Sequence, residues 1–222
     1  MIVAIHQPNY LPWLGFFDKL RKADLMVMLD EAQFPRRDFC NRTRIKTPQG
    51  AQWLTLPVKA RAAIPIKEVE LVEPRTSLAK HWQVVVHNYG KSPFFPKYGP
   101  DLACYFHCYH HRLSELNLGL IKLVAGWLDI STPIILESSL GQPMGRGSTR
   151  NLNICRYLGA DVYLSGQGAR AYNDEAAFVA EGIELRYQEF RHPVYSQRYG
   201  EFIPGLSVID YLFNAGGEDD GL

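Results

Sequence analysis

Short apolar runs alternate with longer amphipathic segments along the chain, and this pattern predicts the order of its elements. Residues 2–6 and 25–29 are continuous apolar runs, which are typical of buried strands. Residues 11–22 between them carry apolar positions at helical spacing. A strand, a helix and a strand within about 30 residues form a βαβ unit, whose strands are parallel with a right-handed crossover. Further strands are predicted at 69–72, 133–137, 161–165 and 183–187.

A hairpin and several helices complete the predicted order. Residues 40–46 and 52–58 are β-leaning runs on either side of Thr47-Pro48-Gln49-Gly50, which is a turn signal, and they predict a hairpin inserted into the α/β order. Helices are predicted at 77–89, at 101–128 with a break near 117–119, from a cap at Ser148 or Thr149 to Tyr157 with a stop at Gly159, at 175–181 and at 207–213.

The pattern as a whole predicts a three-layer α/β fold with a mostly parallel sheet, a Rossmann-like βαβ start and an inserted β-hairpin. Neither an internal repeat nor a low-complexity linker divides the 222 residues, so one domain over 1–222 is expected. Residues 216–222 are acidic and glycine-rich, and we expect them to form a frayed tail.

Composition narrows the classes of function. The chain is 46% hydrophobic and 21% charged, with a formal net charge of +1, which disfavours nucleic acid as a partner. No apolar run approaches the roughly 20 residues that span a bilayer. No basic stretch precedes residues 1–5, as it would in a signal peptide. We therefore expect a cytoplasmic protein; its oligomeric state cannot be read from the sequence.

Polar residues follow three of the predicted strands. Because the carboxyl ends of parallel strands meet at one edge of a sheet, these loops are expected to converge on a small-molecule site. The candidates there are His6, Gln7, Asp30, Gln33, Ser165, Gly166, Gly168 and Tyr172. His6 is the candidate catalytic acid or base, with a loop-fixing hydrogen bond as its alternative role. Asp30 is the candidate that orients His6 or binds a metal–nucleotide complex.

The loop after the first strand is rich in proline, amide and aromatic side chains. The amide of Asn9, like that of Gln7, can both donate and accept hydrogen bonds, which suits orientation of a polar substrate. Tyr10 and Trp13 can stack on a planar ring or a sugar face, or can fasten the loop to the core. The sequence leaves these two readings open.

Two segments carry the side chains that favour anions. Residues 36–46 hold five basic residues, and the candidates there are Arg36, Asn41, Arg42 and Arg44. Arg42, Arg44 and Lys46 are expected on one face of a strand, whose alternative role is a solvated surface. Gly145-Arg146-Gly147-Ser148-Thr149-Arg150 precedes a helix, and Arg146 and Ser148 are candidates in a possible anion nest. Neither a Walker motif nor a full dinucleotide fingerprint is present. Together these segments predict a phosphate-containing small-molecule substrate.

Four metal-competent side chains have helical spacing, but no metal site is predicted from them. Cys104, His107, Cys108 and His111 would share one face of a helix. Four ligands on one straight helix form a line and cannot enclose an ion tetrahedrally. The four cysteines of the chain are also too sparse for a disulfide framework.

The opening and closing motifs resemble those of the WbqC-like protein family. The resemblance lies in HQPNYLPWLGFFDK at 6–19, Asn41-Arg42, WLTLPV at 53–58, YLSG at 163–166, Tyr172, HPVY at 192–195 and LSVIDYLFNAG at 206–216. This family is associated with bacterial gene clusters for O-antigen and other surface polysaccharides. Some members are described as transferring glycine or another acyl group to sugar amines, and the family supplies no established catalytic set.

The resemblance implies a small-molecule transferase of surface-polysaccharide biosynthesis. Its reaction would be acyl or aminoacyl transfer to an amino sugar from an activated, phosphate-containing donor. ATP with Mg²⁺ would be required if the donor is made by adenylation. The alternative is a non-catalytic binding or scaffold protein of the same pathway.

Overall fold

The computed structural model describes residues 1–60 and 63–217, which fall into two compact units. The first, here called the sheet unit, consists of Met1–Gln7, Asp18–Ala32 and Ile130–Arg191. The second, here called the helix-rich unit, consists of Pro8–Phe17, Gln33–Asp129 and His192–Leu222. The assignment of 1–222 to a single domain stays a prediction. Of the predicted frayed tail, residues 218–222 lie outside the described residues.

The elements follow the predicted order closely. The strands are β1 (Ile2–His6), β2 (Leu25–Met28), β3 (Arg42–Thr47), β4 (Gly50–Thr55), β5 (Val58–Lys59), β6 (Glu70–Leu71), β7 (Ile134–Leu136), β8 (Val162–Ser165) and β9 (Glu184–Tyr187). The helices are α1 (Leu14–Arg21), α2 (Pro74–Tyr89), α3 (Phe95–His107), α4 (Leu113–Trp127), α5 (Gly147–Leu158), α6 (Glu175–Ala180) and α7 (Val208–Ala215). Within the described ranges, no helix combines the length and the apolar character that crossing a membrane requires.

The sheet unit is built on five parallel strands in the order β7-β2-β1-β8-β9. β1 pairs with β2 on one side and with β8 on the other, so the chain reverses its direction of travel between β1 and β8. This reversal is the topological switch point, beside which ligands bind in open α/β sheets. The α/β class, the parallel βαβ start and the separate hairpin are therefore confirmed.

One face of this sheet is covered by α5 and α6. Val3, Ile5 and Val27 alternate with residues of the opposite face and join Ile154 and Phe178 in one buried cluster. Gly159 ends α5 in the left-handed conformation, with φ 65°, as predicted from its position after the last helical residue. The strands are continuous apolar runs, as expected for a parallel sheet, because both faces of such a sheet are buried.

The helix-rich unit contains the predicted hairpin. β3 and β4 pair antiparallel, with Thr47 opposite Gly50, and Gly50 has φ 97°, which the turn needs and which favours glycine. β5 and β6 form a second antiparallel pair. Phe213 of α7 packs against the rings of Tyr89 and Phe95 at 5.5 and 5.1 Å between centroids, so α7 is fixed to α2 and α3 by aromatic contacts.

The predicted break in the long helical stretch was placed wrongly. The structure interrupts it at 108–112, between α3 and α4, whereas 117–119 is helical. Asn117 does not break the helix because its side-chain amide bonds the main chain of other segments. Gly119 stays helical because the Tyr105 hydroxyl occupies the space that a Cβ would need. Here, two residue types that often interrupt helices make tertiary contacts from within a helix.

Two helix starts also differ from the prediction. α1 begins at Leu14 and not at residue 11, because Leu11 has a positive φ of 42° that no helix accommodates. α5 begins at Gly147 after Arg146, and no side chain caps it. Ser148 is not the cap because its Oγ accepts a hydrogen bond from the Asp174 amide at 2.8 Å.

Candidate functional site

Polar side chains lie at the carboxyl edge of the parallel sheet, where the strand ends converge. The residues that lie at a strand end or one or two positions after it are Glu137, Asp30, His6, Ser165 and Gln188. The sequence predicted three of them, His6, Asp30 and Ser165, at a shared edge. The parallel pairing of β2, β1 and β8 brings these three strand ends side by side.

Asp30 joins the loops after β2 and β7. Its carboxylate is buried and accepts hydrogen bonds from the Ser138 backbone amide at 3.0 Å and the Ser138 Oγ at 2.6 Å. Both carboxylate oxygens are thus engaged by the turn that follows β7. In this arrangement Asp30 positions the wall of the adjacent cleft.

A cleft of about 590 Å³ opens beyond the ends of β2 and β7, and we call it the β2–β7 cleft. Its volume falls within the range of small-molecule sites, about 300–1,000 Å³. All of its lining residues belong to the sheet unit: Glu31, Glu137, Ser138, Gly141, Gln142, Pro143, Met144, Gly145, Arg146 and Arg150.

Glu137 is the buried acid of the β2–β7 cleft. Only 3% of the residue is exposed, and its Oε1 lies 3.2 Å from the Arg150 Nε. Burial raises the pKa of Glu137; Arg150 and the Glu31 backbone amide lower it, while the charges of Asp30 and Glu31 raise it further. The second oxygen, Oε2, is buried without a hydrogen-bond partner. An unsatisfied buried carboxylate oxygen is costly, so its position in a cleft calls for an explanation.

The opposite wall of the β2–β7 cleft is the start of α5. Arg146 is exposed and immediately precedes this helix. Arg150, one turn along, donates from Nε to the Gly145 carbonyl at 2.8 Å. Gly145 has φ 89°, a conformation that glycine adopts without strain and that folds the loop back over the helix start. Two guanidinium groups and an uncapped helix N-terminus favour an anion at this end.

Half-buried His6 and buried Lys19 interact electrostatically near the switch point. Lys19 of α1 is 3% exposed and donates from Nζ to the Ile5 carbonyl at 3.0 Å. Burial and the Lys19 charge lower the pKa of His6 to about 3, against a smaller opposing effect of the Gln7 carbonyl, which His6 Nδ1 contacts at 2.9 Å. His6 is therefore a neutral imidazole at pH 7 and a weaker proton acceptor than an ordinary histidine. Its catalytic role stays a prediction.

The buried Lys19 ammonium is expected to make stability depend on alkaline pH. Burial lowers the Lys19 pKa from 10.5 to about 7. Between these two values the unfolded chain binds the proton and the folded chain does not, so the free energy of unfolding rises with pH, by about 1 kcal/mol per unit. Below pH 7 this contribution is constant. We expect Lys19→Met to abolish the rise, as measured by urea unfolding at pH 7, 8 and 9.

The matched control for this prediction is Lys22→Met, which removes an exposed neighbouring ammonium that pairs with Asp18 at 2.8 Å. That variant is expected to keep the alkaline slope of the original protein. Equal slopes in Lys19→Met and the original protein would contradict the assignment of the titration to Lys19.

The loop after β8 is organised around Ser165. Its Oγ is buried and accepts a hydrogen bond from the Asn173 side chain at 3.0 Å. Gly166 and Gly168 follow in a short 3₁₀ turn, and Tyr172 beyond it is 59% exposed. These predicted site residues lie in the sheet unit at the carboxyl edge, and they are not among the lining of the β2–β7 cleft.

Of the predicted residues of the first loop, Gln7 lies in the sheet unit, whereas Asn9, Tyr10 and Trp13 lie in the helix-rich unit. Tyr10 is fully buried, and its hydroxyl contacts His81 Nδ1 at 2.9 Å, while His81 Nε2 contacts the Thr55 carbonyl at 3.1 Å. Asn9 is buried and accepts a long hydrogen bond from the Cys40 thiol. Trp13 is partly exposed and stacks on His192 with 6.5 Å between ring centroids. Tyr10 therefore closes a core, whereas Trp13 keeps an accessible edge.

The predicted basic strand also lies in the helix-rich unit. The Arg42 guanidinium stacks over the Trp53 ring at 4.0 Å and donates to the Arg37 carbonyl. Arg44 contacts the Pro204 carbonyl at 3.4 Å, and Asn41 donates to the Leu56 carbonyl at 2.8 Å.

The other members of this stretch differ in their exposure. Gln33 bridges Pro65 through the main chain and Arg36 is exposed. Lys46, expected beside the arginines, is buried and donates from Nζ to Gln197 Oε1 at 2.9 Å.

The Cys/His motif does not form one helical face. α3 ends at His107, so Cys108 and His111 lie beyond the helix and the predicted shared face was wrong. His107 Nδ1 contacts the Ala103 carbonyl at 2.6 Å, and His111 Nε2 lies 3.4 Å from Glu70. Across residues 1–60 and 63–217, no group of three or more His, Cys, Asp or Glu side chains is placed to hold a metal ion.

Sequence reasoning missed the acid of the cleft. Glu137 directly follows a correctly predicted strand, so the same carboxyl-end rule that selected Asp30 would have selected it. Of the predicted candidates, the structure places Arg146 in the lining of the β2–β7 cleft and Asp30 against its wall, through Ser138.

Comparison with known proteins supports the resemblance found in the sequence motifs. The model of the WbqC-like protein family matches residues 7–220. The uncharacterized protein Rv1507c of Mycobacterium tuberculosis is 37% identical over 220 residues, which cover 97% of this chain and 94% of that protein. No solved structure gives a significant match.

Proposed function

Starting from the fact that this chain belongs to the WbqC-like protein family, we propose that it is a small-molecule transferase of bacterial surface-polysaccharide biosynthesis, of the O-antigen type. Its reaction is the transfer of an acyl or aminoacyl group to an amino sugar from an activated, phosphate-containing donor. A cytoplasmic location is part of this proposal. The observation that supports it is the β2–β7 cleft, whose lining combines two arginines with a buried carboxylate.

The arginine end of the cleft favours phosphate over an uncharged group. Arg146 is exposed at the start of α5, and Arg150 lines the same cleft. No side chain caps α5, so the backbone amides of its first turn are available to an anion. A phosphate accepts several such hydrogen bonds at once and gains from both guanidinium charges. The donor would therefore bind through its phosphate at α5.

The position of the cleft also fits a transferase. It lies beyond the carboxyl ends of β2 and β7, where the loops of an open parallel sheet form ligand sites. Asp30 fixes the loop after β7, and His6 lies at the end of the neighbouring strand β1. These two residues are our candidates for positioning and for proton transfer in the reaction.

The test is a thermal-shift and calorimetric screen with inorganic pyrophosphate, UDP and ATP with Mg²⁺. A ligand that binds the native state alone raises the melting temperature, by a stabilisation of about 2.7 kcal/mol at one hundred times its dissociation constant. We expect pyrophosphate to stabilise the protein. If none of the three does so at millimolar concentration, the transferase proposal loses its support, and a non-catalytic binding or scaffold role in the same pathway becomes the better account.

Arg146→Gln is expected to weaken pyrophosphate binding by about 10- to 100-fold, because one charge-assisted hydrogen bond contributes about 1.5–3 kcal/mol. The measurement is the dissociation constant by calorimetry. Arg156→Gln is the matched control, since it removes the same charge from α5 at an exposed residue paired with Glu181. An equal loss of affinity in both variants would contradict a specific role for Arg146.

A further inference from the structure

The unsatisfied oxygen of Glu137 defines a second half of the β2–β7 cleft. Glu137 lines the cleft and is 3% exposed, and its Oε1 is engaged by Arg150 while its Oε2 is buried without a hydrogen-bond partner. A carboxylate oxygen accepts hydrogen bonds and donates none, so a ligand at this position must offer an N–H or O–H group.

The charges around Glu137 select among such donors. Asp30 and Glu31 both act on the Glu137 carboxyl with negative charge, and Arg150 acts with positive charge. The charges that act on the Glu137 carboxyl are thus two negative groups and one positive group. A protonated amine satisfies both requirements, because it donates a hydrogen bond and carries the compensating charge. A sugar hydroxyl satisfies only the first.

We propose that Glu137 Oε2 binds the primary ammonium group of the acceptor substrate. This inference rests on the proposed function, and it assigns the acidic end of the same cleft to the acceptor. Glu31, which lines the cleft beside Glu137, adds to the attraction through its charge. The amine position then shares one cleft with Arg146, which we assign to the phosphate of the donor.

A divalent cation fits this position less well than an ammonium group. Mg²⁺ requires octahedral oxygen coordination. Among the described residues, no group of three or more His, Cys, Asp or Glu side chains is placed to hold a metal ion. The Arg150 Nε, 3.2 Å from Glu137 Oε1, also opposes a second, doubly charged ion. A single ammonium needs one open acceptor oxygen, and Oε2 provides it.

Arg150 links the two ends of the cleft. Its Nε lies 3.2 Å from Glu137 Oε1 and 2.8 Å from the Gly145 carbonyl. The guanidinium therefore fixes the acidic side chain and the loop before α5 at the same time. This contact keeps the amine position and the phosphate position within one rigid wall, which a transfer between two bound substrates requires.

The experiment compares glucosamine with N-acetylglucosamine, in which the amine is blocked, by saturation-transfer NMR at pH 7. We expect glucosamine to bind at least about tenfold more tightly, and Glu137→Gln to abolish this preference. Glu181→Gln removes an exposed carboxylate of the sheet unit and is the matched control, expected to retain it. Equal binding of the two sugars, or an unchanged preference in Glu137→Gln, would overturn the proposal.

Two further arms keep the test decisive. Glu31→Gln leaves the Arg150 pair intact and is expected to weaken glucosamine binding by about two- to fivefold through lost charge, which covers the case in which Glu137→Gln fails to fold. Competitive displacement of glucosamine by MgCl₂ would assign Oε2 to a metal and overturn the inference.

Pyrophosphate is titrated into the same samples. Its failure to bind counts against the proposed function, whereas failure of glucosamine alone counts against the amine site.

Discussion

Replacing Asp210 with alanine is expected to lower the free energy of unfolding by about 4 kcal/mol, because it leaves several buried polar groups without their acceptor. Asp210 lies in α7 and is completely buried. Its Oδ1 accepts a hydrogen bond from the Tyr89 hydroxyl at 2.9 Å, and its Oδ2 accepts one from the Tyr195 hydroxyl at 2.8 Å.

The network around Asp210 explains the size of the effect. Burial raises the pKa of Asp210, while the two tyrosine hydroxyls, Lys46 and Gln197 lower it. The Tyr89 hydroxyl also accepts a hydrogen bond from the Lys46 backbone amide at 2.8 Å, so the network extends into β3. Alanine would leave both hydroxyl donors and the Lys46 charge uncompensated in the interior. Each such group costs about 1–3 kcal/mol.

Urea unfolding at pH 7 measures this loss. Asp101→Ala is the control, because Asp101 is exposed and its single contact with the Trp127 indole is long, at 3.4 Å. Its expected effect is within about 0.5 kcal/mol, as for other surface substitutions. A loss below 1 kcal/mol in Asp210→Ala would show that the network does not hold α7 in place.

Asn117→Leu is expected to lower the free energy of unfolding by about 3–4 kcal/mol, because it removes a donor shared by two buried carbonyl groups. Asn117 is fully buried in α4, and its Nδ2 donates to the Pro8 carbonyl at 2.8 Å and to the Cys40 carbonyl at 2.7 Å. Leucine has a similar volume and no donor. The Pro8 and Cys40 carbonyl groups would then lose the hydrogen bonds that this amide donates.

Asn88→Leu is the matched control for this substitution. Asn88 is also buried in a helix, but its Nδ2 bonds only the Val84 carbonyl of its own helix at 2.8 Å, and its Oδ1 has no partner. The change is expected to cost less than about 1 kcal/mol. If the two variants were equally stable by urea unfolding, the bonds of Asn117 would not be what secures the Pro8 segment.

The parallel sheet could be predicted from the sequence because its information is local. Residues 2–6, 25–29 and 161–165 are largely apolar runs that end at or just before a polar residue, and their short length favours strands over helices. The position of the helix break was not predictable in the same way. Asn117 and Gly119 have poor helix propensity, but tertiary contacts with Pro8, Cys40 and Tyr105 override it.

The candidate site was predictable only in part, for a related reason. Strand ends locate Asp30 and Glu137 from sequence alone, and the glycines around Arg146 indicate a loop before a helix. No local sequence pattern indicates how the chain divides into the sheet unit and the helix-rich unit. Asn9 and Tyr10 were grouped with His6 because they follow it closely, and Arg42 because of its charge; all three belong to the helix-rich unit. Their membership of the site stays a prediction.

Because segments of the two units alternate along the chain, strands that pair in the sheet are synthesised at different times. β1 ends at His6, yet its partner β8 begins only at Val162. At translation rates of about 5–20 residues per second, β1 waits roughly 8–30 s for that neighbour. Until then β1 and β2 expose an unpaired apolar edge. Chaperones bind surfaces of this kind on nascent chains. Slow translation of the middle of the chain would lengthen this exposure and should lower the yield of folded protein.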